Sequence, residues 1–274
     1  MSAIMKKAVC LSGYFSSKAL QRSGGEDVAI RGHNYIKEKI IDEHTDIFIH
    51  TWDKPNYDLI KFLYKPKRIE LQSPYSFETE LKEFDVEWFG KSPGIYSGNT
   101  IFRDLSMNFS RKRSMELIDD DYDCVIMARF DLGQRGKEWE QKYYATNFNF
   151  ADVFDNQCLY SGFWDQLNHG FCEQWLYGGQ KVMKDVMSIY DKLFDYYQPN
   201  SKYTRSVTEG WFDSNSANDF SNEMLKSAHE RVSPSNWKAF PKWGCIDNHK
   251  TYKWHIKEVG LYDTCKFVDI TGDK

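Results

Sequence analysis

Val125-Ile126-Met127-Ala128-Arg129-Phe130-Asp131 decides the architecture: four apolar residues in a row break off into a charged pair two positions apart. A run without a polar position has no solvent face, which predicts a strand buried on both sides of a mainly parallel sheet. Open α/β sheets bind their ligands beyond the carboxyl ends of such strands. Strand side chains repeat every second residue, so Arg129 and Asp131 are expected on one side. A guanidinium there can grip a phosphate, and a carboxylate can hold a divalent cation or a sugar hydroxyl. The expected ligand is charged and rich in oxygen.

Outward from this strand, the sequence alternates strands and helices. Ala8–Leu11 reads as a first strand closing on Ser12-Gly13-Tyr14-Phe15, and Val28 to Asp42 as a helix whose Ile36, Ile40 and Ile41 share a face. Asp46-Ile47-Phe48-Ile49-His50 is a second strand ending in Thr51-Trp52-Asp53. Strand, helix and strand in this order predict a right-handed crossover. Arg68-Ile69-Glu70-Leu71 is expected as a third strand and residues 73–97 as a surface loop. A helix over 100–118 should turn Leu105, Phe109, Met115 and Leu117 to the sheet and Asn108, Arg111, Lys112 and Arg113 away from it. Beyond Gly133 come an aromatic-rich stretch with short strand-like pieces (143–164) and one amphipathic helix over 181–197, carrying Val182, Val186, Tyr190, Leu193 and Tyr197 and stopped by Pro199. A shorter helix is expected over 221–231, and the tail mixes Trp, His and Lys without a period. No repeat or interdomain linker is visible, so one α/β domain is expected over 1–274.

A net charge of −4 gives no electrostatic footprint for nucleic acid. The six cysteines, at 10, 124, 158, 172, 245 and 265, contain no C-x-x-C pair, and this spacing suggests neither zinc nor a disulfide framework. A reducing, cytoplasmic setting is expected. Met5-Lys6-Lys7 precedes an apolar run too brief for a signal peptide, and no stretch approaches the ~20 apolar residues of a membrane span, so any membrane contact is expected to be peripheral.

Five features in order carry a resemblance to a family. They are Val9-Cys10-Leu11-Ser12-Gly13, the stretch from Asp46 to Asp53, the basic helix Ser106 to Leu117, the strand ending at Asp131, and Glu173-Gln174-Trp175-Leu176-Tyr177-Gly178-Gly179. Together they resemble GT-A-fold glycosyltransferases, particularly small ones linked to surface-polysaccharide or lipopolysaccharide synthesis in bacteria and large DNA viruses. The resemblance implies a Rossmann-like mixed, mainly parallel sheet flanked by helices. It implies a nucleotide-sugar donor (UDP, GDP or CMP linked) bound by residues 1–132 and a glycan or glycoconjugate acceptor bound by residues 133–274.

Such enzymes carry Asp-x-Asp where this chain has Arg129-Phe130-Asp131. Asp131 is then the metal ligand for Mn²⁺ or Mg²⁺, with a second ligand from Asp155, Asp165, Asp247, His249 or His255. Alternatively Arg129 itself neutralises the diphosphate and transfer is metal-independent. Arg111 is a further candidate for a phosphate, against the plainer reading of a solvated basic face. Ser12 and Gly13 would let a nucleotide approach the backbone, and Asp53 would bond ribose or base, although both are also ordinary turn chemistry. The resemblance makes Glu173 the candidate base, with His169 as substitute. Trp164, Trp175 and Tyr177 are expected as a sugar platform or as core.

Two other readings compete. One is another phosphate-handling α/β transferase, such as a sulfotransferase or nucleotidyltransferase, although no P-loop follows the first strand. The other is a non-catalytic glycan-binding or scaffold protein whose donor site has degenerated, which the arginine in place of the first acid favours.

Overall fold

A computed structural model of the chain describes residues 5–15, 26–92, 95–133, 148–162, 171, 174–209 and 242–268. Trp164, Asp165, His169, Glu173 and the helix expected over 221–231 lie outside the described residues. In chain order the elements are β1 (Lys7–Gly13), α1 (Glu26–Lys39), β2 (Thr45–Thr51), α2 (Tyr57–Tyr64), β3 (Arg68–Leu71) and the single turns α3 (Glu78–Leu81) and α4 (Val86–Phe89). There follow the two-residue strands β4 (Lys91–Ser92) and β5 (Ile95–Tyr96), α5 (Ser97–Glu116), β6 (Cys124–Ala128), β7 (Leu159–Gly162) and β8 (Trp175–Gly178). The last are α6 (Gln180–Met187), α7 (Ile189–Tyr196), α8 (Lys202–Thr208), α9 (Asn248–Glu258) and β9 (Lys266–Val268).

Seven strands form one sheet in the order β3-β2-β1-β6-β8-β7-β9. Only β8 runs against its neighbours, so the sheet is mainly parallel and the architecture is mixed α/β, as expected. The pairing of β6 with β8 carries the sheet across residues 1–132 and 133–274 without a break.

Period-two alternation divides the core between the two faces. Ala8, Cys10, Phe48, Val125, Met127 and Leu176 pack on one side with Ile101 and Leu105 of α5 and Val182, Met183 and Leu193 of α6 and α7. Val9, Leu11, Ile47, Ile49, Ile126 and Ala128 pack on the other with Ala29 and Ile36 of α1 and Ile60 and Tyr64 of α2. Every residue of β6 is buried, as a strand covered by helices on both faces must be. The described cysteines 10, 124, 158, 245 and 265 are buried and outside any disulfide, and burial pushes the Cys10 and Cys124 thiols up to about 12, which leaves them acting as small hydrophobes.

Three expectations need correction. The helix expected over 181–197 is broken at Ser188, because two donors compete for one carbonyl: Ser188 Oγ (2.7 Å) and His255 Nε2 (2.9 Å) both donate to the Asp185 carbonyl oxygen. The loop expected over 73–97 contains the turns α3 and α4 and the β4–β5 ribbon. The tail without a period contains α9, in which seven consecutive residues, Lys250 to Ile256, are buried. A helix covered all round has no polar stripe to advertise it.

Candidate functional site

The carboxyl ends of β1, β2 and β6 meet at one edge of the sheet. Register places Gly13 beside Thr51 and Leu11 beside Ala128, so Ser12, Gly13, Asp53 and Arg129 emerge together. Gly13 has φ +95, and a side chain built there would meet nothing within 4 Å. Its carbonyl accepts from Thr51 Oγ1 (2.8 Å), which in turn accepts from the Asp53 amide (3.0 Å). Backbone at this point is therefore both fixed and open to an approaching ligand. Ser12 is half-buried and Tyr14 is exposed beside it.

Asp53 is buried, and both carboxylate oxygens accept from Asn56 Nδ2 (3.0 and 3.1 Å), which closes the turn into α2. Burial, and then the Asp53 charge, push the Tyr14 phenol above its ordinary range. Asp53 thus lies where the sequence placed it, with turn chemistry using the oxygens expected for a ribose.

Arg129 and Asp131 do project together, and they bind each other. Arg129 Nε donates to Asp131 Oδ1 (2.8 Å) and Nη2 to Oδ2 (2.7 Å), a planar fork closed on a carboxylate. The arginine side chain is 36% exposed and the aspartate only 10%, so the guanidinium is the partner able to reach a ligand. The turn from Arg129 to Leu132 is clamped from below: a Cβ on Gly32 of α1 would lie 2.1 Å from the Phe130 carbonyl oxygen. Helix α1 therefore seats directly on the backbone that presents the pair.

Among the described residues the donor set for a hard cation is incomplete. Asp131 has both oxygens in the arginine fork, and the described residues contain no group of three metal-ligating side chains. Divalent Mg²⁺ or Mn²⁺ needs several oxygen ligands. The other described candidates are engaged in structure. Asp247 caps α9 and accepts from Lys250 Nζ (2.8 Å), and His249 Nδ1 lies 2.6 Å from the Phe171 carbonyl oxygen. His255 sits between Asp185 O and Tyr196 Oη, its pKa lowered chiefly by burial. Asp155 accepts from the Gln157 amide (2.9 Å).

Arg111 is not at this edge. It is 1% exposed between α5 and α9, where Nη1 donates to Tyr252 Oη (2.9 Å) and the guanidinium lies 5.3 Å from that ring. Its neighbours Lys112 and Arg113 are paired with Asp191 and with Glu70 and Glu116. The basic run on α5 holds helices and sheet together. Trp175 and Tyr177 are also core: they are 1% and 0% exposed, and Tyr177 stacks on Tyr160 at 4.6 Å with the planes 1° apart. Neither ring has a face open to a sugar.

Two features of this edge escaped the sequence reading. Trp52, Phe109 and Tyr75 form a near-parallel stack (5.7 and 6.4 Å between centroids) that ends in the exposed Tyr75, assembled from α5 and two loops. Tyr64 ends α2, a helix that the crossover between β2 and β3 required and that Leu59, Ile60, Leu63 and Tyr64 signalled by their spacing.

No protein-family model matches the chain, and comparison with curated proteins finds no match. Among solved structures the chain is similar to mouse xyloside xylosyltransferase 1 in its apo form, with 9% identity over 97% of this chain and 86% of that one, at a TM-score of 0.40. At that distance no residue is carried from one chain to the other. No described helix is long and apolar enough to cross a membrane.

Proposed function

We propose that the chain is a nucleotide-sugar-dependent glycosyltransferase that moves a sugar onto a glycan or glycoconjugate acceptor, with the donor diphosphate over the ends of β1, β2 and β6. One observation carries the reading: a guanidinium and a carboxylate lie together at the carboxyl end of β6, beside open space over Gly13. Binding at this edge is the rule for open α/β sheets.

In this reading Arg129 turns from Asp131 to the diphosphate and balances the charge that grows on it as the sugar leaves. Preorganised charge of this kind is usually the largest catalytic contribution. Arg129 then takes the place of a divalent cation, and transfer is metal-independent. Asp131, released, accepts from a sugar hydroxyl. Glu173, with His169 as substitute, is proposed as the base that takes the acceptor hydroxyl proton. A reducing, cytoplasmic setting belongs to the same reading.

The test is product analysis after incubation with mixed sugar nucleotides and glycan acceptors, wild type against Arg129→Gln. Loss of roughly 100-fold or more in transfer, with the melting temperature retained, is expected for a group that acts on developing charge. Wild-type rates in the variant would remove the assignment. One observation favours a second reading, a glycan-binding protein with a closed donor site: Arg129 occupies both oxygens of Asp131. That reading predicts glycan binding with no transfer from any donor.

A further inference from the structure

Tyr64 is a buried phenol, 3% exposed, whose hydroxyl makes no hydrogen bond. Its ring is held edge-on by His33 (4.8 Å), Phe130 (5.7 Å) and Phe15 (6.4 Å). His33 is itself tied to the Leu63 carbonyl oxygen through Nε2 (3.0 Å), so α1 and α2 fix the ring jointly. Phe130 immediately precedes Asp131, and Phe15 follows the open end of β1. Burial, and then the charge of Asp131, push the phenol above its ordinary range, so it stays a hydrogen-bond donor. A buried hydroxyl without a partner is costly, and a phenylalanine of the same shape would avoid that cost. A tyrosine at this position asks for a state in which the hydroxyl is used.

The Arg129–Asp131 pair supplies that state. Both carboxylate oxygens are served by one guanidinium. If a diphosphate draws the guanidinium off, a carboxylate with a side chain only 10% exposed loses both of its donors at once. Leaving such a charge uncompensated is strongly unfavourable. We propose that Tyr64 is a positioning residue: when a diphosphate takes Arg129, the Tyr64 hydroxyl donates to one oxygen of Asp131 and leaves the other facing the ligand. The inference rests on the donor-site reading above for its trigger, but not for the contact itself.

A stability cycle separates the two. Tyr64→Phe in the otherwise unchanged protein removes a hydroxyl that bonds to nothing, and its melting temperature should match or slightly exceed wild type. In Arg129→Ala the hydroxyl is already bonded to Asp131, and Tyr64→Phe there should lower the melting temperature by about 2–4 °C. Binding of UDP, GDP and inorganic pyrophosphate to the full chain gives the second readout: Tyr64→Phe should weaken the probe that binds by about 10-fold. The same effect on melting in both backgrounds would overturn the proposal, and so would unchanged probe affinity in Tyr64→Phe. Coupling in the cycle with no probe bound by wild type would keep the contact and remove the diphosphate as its trigger.

Discussion

Trp175 is 1% exposed in a column of rings with Phe148, Tyr177 and Tyr160, and it packs β8 against the segment around Phe148. Tyr177 Oη accepts from the Ala151 amide (2.7 Å) and Tyr160 Oη from the Asp155 amide (2.8 Å), so these phenols anchor loop backbone as well as filling volume. Trp175→Ala should therefore cost about 3–5 kcal/mol in denaturant unfolding, the range for emptying a large aromatic site. A loss under about 1 kcal/mol, coupled to failed acceptor binding, would return Trp175 to the sugar platform. Residue chemistry alone did not separate the two roles, since an amphipathic ring suits either. The same holds for Arg111, whose charge is read as a ligand site or an internal strut only once Tyr252 is known to lie against it.

Among the elements, those fixed by local pattern were legible and those fixed by packing were not. The apolar runs at Ala8–Leu11, Ile47–Ile49 and Val125–Ala128 are strands because no solvent face exists along them, and all three were read correctly. The carboxyl ends of these strands were legible from where the apolar runs stop, whereas their register was not, because a strand buried on both faces has no alternation to fix it. Helix α9 was lost because its buried lysines imitate an exposed face: Lys250 and Lys253 are 4% and 3% exposed. The break at Ser188 was lost because it depends on His255, which is 67 residues away in sequence. The contact between neighbours Arg129 and Asp131 was not legible, because sequence spacing permits it but does not dictate it. Packing also gives this scale its prediction. Gly32→Ala forces a Cβ onto the Phe130 carbonyl at 2.1 Å, with backbone on both sides unable to yield. Overpacking of that kind should cost about 1–3 kcal/mol and loosen the Arg129–Asp131 turn, seen as weaker nucleotide binding at a temperature where the variant is folded. Wild-type stability and binding would show that α1 does not seat the turn.

Across the whole molecule, the sheet joins one parallel set of strands, which present the charged pair, to a reversed strand and its aromatic packing. The strands that lead to Gly13, Asp53 and Arg129 are central and buried, so the backbone that presents these residues is fixed by packing. The central claim is that Arg129 binds a nucleoside diphosphate at this edge without help from a cation. It is tested most directly by thermal titration of wild type and Arg129→Ala with UDP, GDP and CMP, each with Mn²⁺ and with EDTA. At about 100 times its dissociation constant a bound nucleotide adds about 2.7 kcal/mol, or a rise of roughly 5 °C in melting temperature. The account predicts that rise for wild type with at least one nucleoside diphosphate, undiminished by EDTA and abolished in Arg129→Ala. No rise with any nucleotide, or one that needs Mn²⁺ and survives the loss of Arg129, would contradict it.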